Sequence, residues 1–260
     1  MDVTSQISIP SDSGYFEGHF PGRPILPGVA QLALMLEALE RETGESVPLR
    51  GIGFTRLRQL VLPGESLVLT AKTVDEGRLR ITLKRDDTLI TNGEFLLGPL
   101  DSSDNETLST MQFAAPLSGI PPMDELLPHR APMQFIQSVV HEATGSIVCM
   151  ASIPSACALV NKDSVPAVVG LEAAAQAAAA WEALQRQRVG GTTTPRVGYL
   201  VALRETEFFV GRIPAGTPLL VKVDLEASAA PLSYYRIALY LDGKLLVKGT
   251  IATFLKQDDA

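Results

Sequence analysis

Cysteine, histidine and tryptophan are scarce in this chain, whose 260 residues hold two, three and one of them. Cys149 and Cys157 could pair with each other but make no disulfide framework, so both thiols are expected free. Three scattered histidines beside two cysteines offer no metal-ligand spacing, and no zinc site is expected. Long apolar runs are missing as well, so nothing suggests a bilayer span. The opening MDVTSQISIP lacks the basic and apolar regions of a signal peptide. These absences point to a cytoplasmic setting. Positive charge is short too: 22 Lys and Arg against 29 Asp and Glu leave a net charge of −7. That balance gives no electrostatic reason to expect nucleic acid or an anionic membrane as a partner. Neither a G-x-S-x-G elbow nor a phosphate-binding glycine loop is present.

Apolar residues, in contrast, make up 46% of the chain, enough at this length for one large core or two smaller ones. They fall into a repeat. RPILPGVAQLALMLEAL (residues 23–39) reads as a turn opening into an apolar helix, and DSVPAVVGLEAAAQAAAAWEAL (163–184) reads the same way. Each helix is followed by strand-like segments in matching order. In the first half these are RLRQLVLPGESLVLTAKTV, RLRITLKR and TLITNGEFLL; in the second they are ETEFFVGRIPAGTPLLVKVDLE, YYRIALYLD and KLLVKGTIATFL. Pro63-Gly64 corresponds to Pro214-Ala215-Gly216, and Gly93 of TNGEF to Gly249 of VKGTI. Weak identity in a consistent order is the mark of an old duplication. GPLDSSDNETLSTMQ (98–112) is polar and poor in apolar positions, as a linker is. The division expected is therefore a unit at 1–97, a linker at 98–118 and a unit at 119–260, each an α+β layer of one long helix and several antiparallel strands.

Two residues stand out against this apolar background. His19 sits in GHFPGRPILPG, a stiff turn ahead of the first helix. Glu172 lies on a helical stretch with no other charge between Ala167 and Ala180, where a carboxylate is costly to bury unless paired or protonated. Gln176 follows Glu172 one turn later.

GHFPGRPILPGV resembles the active-site motif of the beta-hydroxyacyl-[acyl-carrier-protein] dehydratases, which have the hotdog fold, and LLPHRAPMQFIQSVV is similar to another stretch of that family. The first half most resembles one dehydratase component of aryl polyene clusters, and the second half resembles its partner. The resemblance implies a double hotdog: two antiparallel sheets, each wrapped around a central helix, paired as an internal pseudo-dimer. It also implies a site shared across the pair, with a histidine from one hotdog and an acid from the other. The family's acid lies 14 positions after its histidine. Counted from His19 that position is Ala33, and counted back from Glu172 it is Ala158. Neither half is complete alone, so the expectation is one composite site, His19 with Glu172, and an inert counterpart at Ala33 and Ala158.

A neutral imidazole suits removal of an α proton near neutral pH. A glutamic acid raised in pKa by an apolar pocket suits protonation of a leaving hydroxide. Amides at a helix N-terminus suit a developing enolate, which puts Gly28 forward as oxyanion donor. Phe20, Pro27 and Gln176 complete the expected substrate-binding set, with no metal and no organic cofactor. An acidic acyl carrier protein would need a basic rim on this acidic chain, for which Arg23, Arg56 and Arg58 are the candidates. Glu37, one turn after Ala33, is the rival acid. His129 matches a family position outside the catalytic pair and reads as structural, and His141 falls in a strand-turn. A hotdog thioesterase and a noncatalytic acyl-thioester-binding or scaffold protein are the alternatives.

Overall fold

A computed structural model describes residues 2–101, 115–191 and 194–256; most of the expected linker, residues 102–114, lies outside the described residues. The first unit runs β1 (Asp2–Ser8), α1 (Gly28–Thr43), β2 (Leu49–Ile52), β3 (Thr55–Leu57), β4 (Ser66–Asp75), β5 (Arg78–Arg85) and β6 (Thr88–Leu97). After the short α2 (Met123–Leu126), the second runs β7 (Ile136–Ala143), β8 (Ser146–Ala151), β9 (Ser164–Pro166), α3 (Gly170–Arg188), β10 (Gly198–Phe208), β11 (Arg212–Pro214), β12 (Leu219–Ala229), β13 (Leu232–Leu241) and β14 (Lys244–Leu255). The result is a double hotdog, in which each helix lies in the curve of its own part of the sheet.

The helices form where the apolar period dictates. Val29, Leu32, Leu36 and Leu39 repeat at helical spacing along α1 and are all buried, each contributing roughly 1.5–3 kcal/mol by leaving water. The alanine run of α3 has the highest helix propensity of any residue type, and its thin side chains let the sheet close over it. Strands alternate instead: along β4, Leu67, Leu69 and Ala71 point inward while Val68 faces out.

Strand order shows how the units join. Eleven strands run β1-β4-β5-β6-β2-β10-β14-β13-β12-β8-β7, with β3 pairing β6 and β10 beside that path. The seam is antiparallel, with Thr206 opposite Ile52 on β2 and Leu203 opposite Thr55 on β3. The two halves thus share one continuous sheet, and one contiguous core draws residues from both.

The repeat survives in local geometry. Pro27 precedes α1, and Pro166 the 3-10 turn (Ala167–Val169) that runs into α3, with nearly the same backbone angles, φ −52° and ψ 141° against φ −53° and ψ 140°. Gly93 and Gly249 each lie against a buried threonine. A Cβ at Gly93 would stand 2.0 Å from Thr55 Oγ1, and one at Gly249 would stand 2.7 Å from Thr206 Cα. Only glycine fits so close an approach. The second unit departs from the first by carrying an extra strand, since β8 sits on β12 as β1 sits on β4, and β7 then covers β8.

Candidate active site at the junction of the two units

The turn after β1 fixes His19. Phe20 takes a positive φ of 59°, and Arg23 N donates to Phe20 O at 2.9 Å. His19 Nδ1 donates to Ile25 O at 2.7 Å; a carbonyl can only accept, so Nδ1 carries the hydrogen and Nε2 presents its lone pair. Burial, opposed by the Glu172 charge and assisted by His129, lowers the His19 pKa to about 4. The imidazole is therefore neutral and basic at Nε2 at physiological pH.

Glu172 projects from the first turn of α3 and is 4% exposed. Its Oε1 accepts from Gln176 Nε2 at 3.0 Å and lies 3.2 Å from His129 Nε2. Gln176 is held on its other side, where Oε1 accepts from Phe135 N at 2.8 Å and Nε2 donates to Met133 O at 2.7 Å. Burial pushes the Glu172 carboxyl up, but the His129 hydrogen bond and charge, with His19 and Gln176, hold it down to about 2. This corrects the expectation of a pKa raised by an apolar pocket, because the pocket is not apolar on the Glu172 side.

His129 arrives on the loop after α2, where the Arg130 guanidinium donates to the carbonyls of Asp124, Leu127 and His129. Arg130 N donates to Gly18 O at 2.8 Å, clamping this loop of the second unit onto the His19 turn of the first. The Phe20 ring packs on both imidazoles, with centroids 4.1 Å from His19 and 4.9 Å from His129. One ring or carboxylate atom from each of His19, His129 and Glu172 falls within 4.8 Å of the others. The sequence reading of His129 as structural does not anticipate this convergence. The trio has the composition of a metal set, and its 3.2 Å contact between imidazole and carboxylate also has the length of a hydrogen bond.

These side chains line a cavity of about 340 Å3 that continues along α3 past Ala175 and Ala179, with Arg58, Gln59 and Leu60 on its exposed side. Gly28 lines it, and a Cβ there would come within 2.9 Å of Leu57 Cδ2, a side-chain tip that would have to shift. Two expected binding residues do not reach the cavity. Pro27 is buried beneath the start of α1, and Gln176 is fully buried and turned to Glu172 and the chain entering β7. Of the basic candidates, Arg58 lines the cavity and donates to Asn92 Oδ1 at 2.7 Å. Arg56 instead lies over the Phe54 ring, and Arg23 is exposed on the turn.

A second cavity, of about 480 Å3, occupies the counterpart position and is lined by Leu36, Glu37, Val47, Phe208 and Arg212 among others. Contrary to expectation neither Ala33 nor Ala158 lines it: Ala33 is buried, while Ala158 is exposed beside Gly14. The rival acid Glu37 belongs to this second cavity, away from His19; burial and then Glu40 raise its pKa, with Arg212 and Arg41 pulling it back.

The buried imidazole makes stability depend on pH. The unfolded chain binds the His19 proton near pH 6.5 and the folded chain only near pH 4. Between those values the unfolded state holds more protons, so stability falls as pH falls, by roughly 3 kcal/mol across the window. Below it Glu172 extends the loss, its folded value of about 2 lying under the ordinary 4.5. Thermal unfolding midpoints should drop on going from neutral pH to pH 4, and His19→Gln should flatten that slope; an equal slope in the variant would contradict the assignment.

Two α+β units wrapped around helices, with a histidine of one facing a carboxylate of the other, define a double-hotdog protein of the dehydratase type. Residues 121–260 match the ApeP-like family model, described as ApeP dehydratase, and residues 1–94 match the ApeI-like model, described as ApeI dehydratase. The first match covers over half of the chain, which belongs to the ApeP-like dehydratase family and carries an ApeI-like unit ahead of it. The chain is 32% identical over 97 residues to the 3-hydroxyacyl-[acyl-carrier-protein] dehydratase FabZ of Syntrophomonas wolfei, covering 32% of this chain and 65% of that one. It is 30% identical over 106 residues to FabZ of Chloroflexus aggregans, covering 36% and 72%. Other FabZ relatives are matched over about half of their length, 46% for that of Blochmanniella floridana. The fold as a whole is that of a trans-AT PKS dehydratase domain from Brevibacillus brevis, with a TM-score of 0.74 at 13% identity over 98% of this chain and 94% of that one. The dehydratase domain of RzxB from Pseudomonas fluorescens gives 0.67 at 16% identity over 96% and 93%. Among the described residues no helix is long and apolar enough to cross a membrane.

Proposed function

We propose that this chain dehydrates β-hydroxyacyl thioesters carried on an acyl carrier protein to trans-2-enoyl thioesters, at one composite site formed by His19 and Glu172. The observation that carries the reading is the meeting of these two residues, one from each unit, in a single cavity from which the rival acid Glu37 is absent. His19 Nε2 removes the α proton, and the electrons of that C–H bond form the new double bond as the bond from the β carbon to oxygen breaks. The proton that turns the leaving hydroxide into water comes from the Glu172 side. Negative charge growing on the thioester oxygen is met by the Gly28 N–H, one of the amides at the start of α1 that no intrahelical carbonyl satisfies. The acyl chain runs along the alanine face of α3. The setting is the cytoplasm, in fatty acid or polyene synthesis.

Incubation with a β-hydroxyacyl thioester and mass spectrometry of the product tests the reading: loss of one water supports it, and release of free acid would favour a thioesterase. Arg58 tests the carrier. Arg58→Glu should raise the KM for a carrier-bound substrate by about tenfold, since reversing a rim charge acts mainly on encounter, and leave a small soluble thioester nearly unaffected. Equal effects on both substrates would remove Arg58 from docking.

A further inference from the structure

His129 is buried, ionisable and unused in the reaction just described. Its Nε2 is 3.2 Å from Glu172 Oε1, and among the described residues its buried Nδ1 has no hydrogen-bond partner. It lines the same cavity as His19, the two ring centroids lying 5.4 Å apart. Resting on the proposed dehydration, we infer that His129 and Glu172 hold the donated proton jointly and recover it from His19 within the pocket, so that His129 is the third proton-handling residue of the site.

The chemistry balances without an outside proton. The pair holds one proton more than a neutral imidazole and a carboxylate. As His19 Nε2 takes the α proton, the His129 Nε2 hydrogen passes to Glu172 while Glu172 protonates the departing hydroxide, leaving His129 a neutral imidazole with its hydrogen on Nδ1. Water leaves, and His19 is then one proton richer while the pair is one proton poorer. The proton returns from His19 to the pair through a bridging water, ring and carboxylate atoms of the three side chains lying within 4.8 Å of one another, and the site is reset. A carboxylate held well below its usual range gives up no proton by itself near neutral pH. Joined to an imidazole, the side chain that exchanges protons in that range, it becomes half of a donor. Other ionisable groups do not take over this role. The Cys157 thiol, which faces Glu172 from the loop ahead of β9, is kept neutral by burial. Glu182 and Arg186 of α3, Arg58 after β3, and Arg196 and Tyr199 around the start of β10 also line the cavity.

His129→Gln keeps an N–H for Glu172 and removes the second protonation site. We expect kcat near neutral pH to fall about tenfold or more with KM little changed. The alkaline limb of kcat against pH should move toward lower pH, because the carboxyl then has to hold the proton alone. A profile of unchanged shape, merely scaled down or not scaled at all, would overturn the inference and leave His129 a prop for Glu172. Nuclear magnetic resonance of the imidazole nitrogens supplies a readout that needs no turnover. In the otherwise unaltered protein Glu172→Gln should change the signal of His129 Nε2, whose hydrogen the pair shares, and an unchanged signal would overturn the shared proton. His19→Ala separates this inference from the reaction beneath it. Near-normal turnover there would sink the dehydration mechanism, whereas an inactive His19→Ala with an unaltered His129→Gln profile would sink the proton pair alone.

Discussion

His19→Ala and Glu172→Gln are each expected to lower dehydration of a β-hydroxyacyl thioester by about 10²- to 10⁴-fold, the usual weight of one acid–base group in a transition state. Alanine removes the only lone pair held at that place by Ile25, and glutamine keeps the hydrogen-bonding shape at position 172 while denying the site its acid. The double variant should be little worse than either single one, since groups that act as a unit are strongly non-additive. Glu37→Gln should stay close to full activity, because Glu37 lines the other cavity. Ala33→Glu should create no second site, since position 158 supplies no base and Ala158 stands outside that cavity. Turnover by mass spectrometry on variants checked for folding decides the matter. Loss in Glu37→Gln with retention in Glu172→Gln would move the acid to the first unit.

Gly18→Ala should be nearly as damaging, for a reason that has nothing to do with proton transfer. Gly18 has a φ of +75°, and a Cβ built on it would stand 2.1 Å from Arg130 O and 2.8 Å from Ala131 O. Both are backbone atoms, so no side chain can swing aside. The bond from Arg130 N to Gly18 O is the clamp between the His19 turn and the His129 loop, and the methyl group would wedge it open. An ångström of misplacement at a site of this kind costs about 10²-fold, and the strained backbone adds of order 1–3 kcal/mol of instability. A lowered thermal midpoint together with lost turnover is the expected result; a variant with normal values for both would show that the two loops need no close contact.

The repeat was legible in sequence because a duplicated fold keeps its backbone necessities. Pro27 and Pro166 each set the dihedrals that begin a helix, and Gly93 and Gly249 each make room for a threonine across the sheet. The family resemblance supplies a spacing of 14 positions, and counting it from His19 to Ala33 and from Ala158 to Glu172 is what implies a shared site. What sequence could not give was the third dimension of the junction. His129 meets Glu172 only because the loop after α2 folds back over the His19 turn, and no local pattern encodes that encounter. Gln176 is a different case. It stands one turn after Glu172 on the same helix face, where side chains touch each other, so a partner for Glu172 was the better reading than a contact for substrate. The pKa of Glu172 failed as a consequence, since burial was visible in the sequence but its hydrogen-bond donors were not.

The seam at which β10 meets β2 and β3 has a bearing on gene dosage and dilution. Were the units separate polypeptides, each would expose a strand edge open to any complementary edge, including that of its own kind. On the dehydration proposed above, like-with-like association would give pairs that hold His19 without Glu172 or Glu172 without His19, and neither could both take and give a proton. Joined in one polypeptide, the unlike halves meet at an effective concentration in the millimolar range however scarce the protein is. Unequal expression of the halves cannot arise, and His19 and Glu172 are brought together anew with every chain that folds.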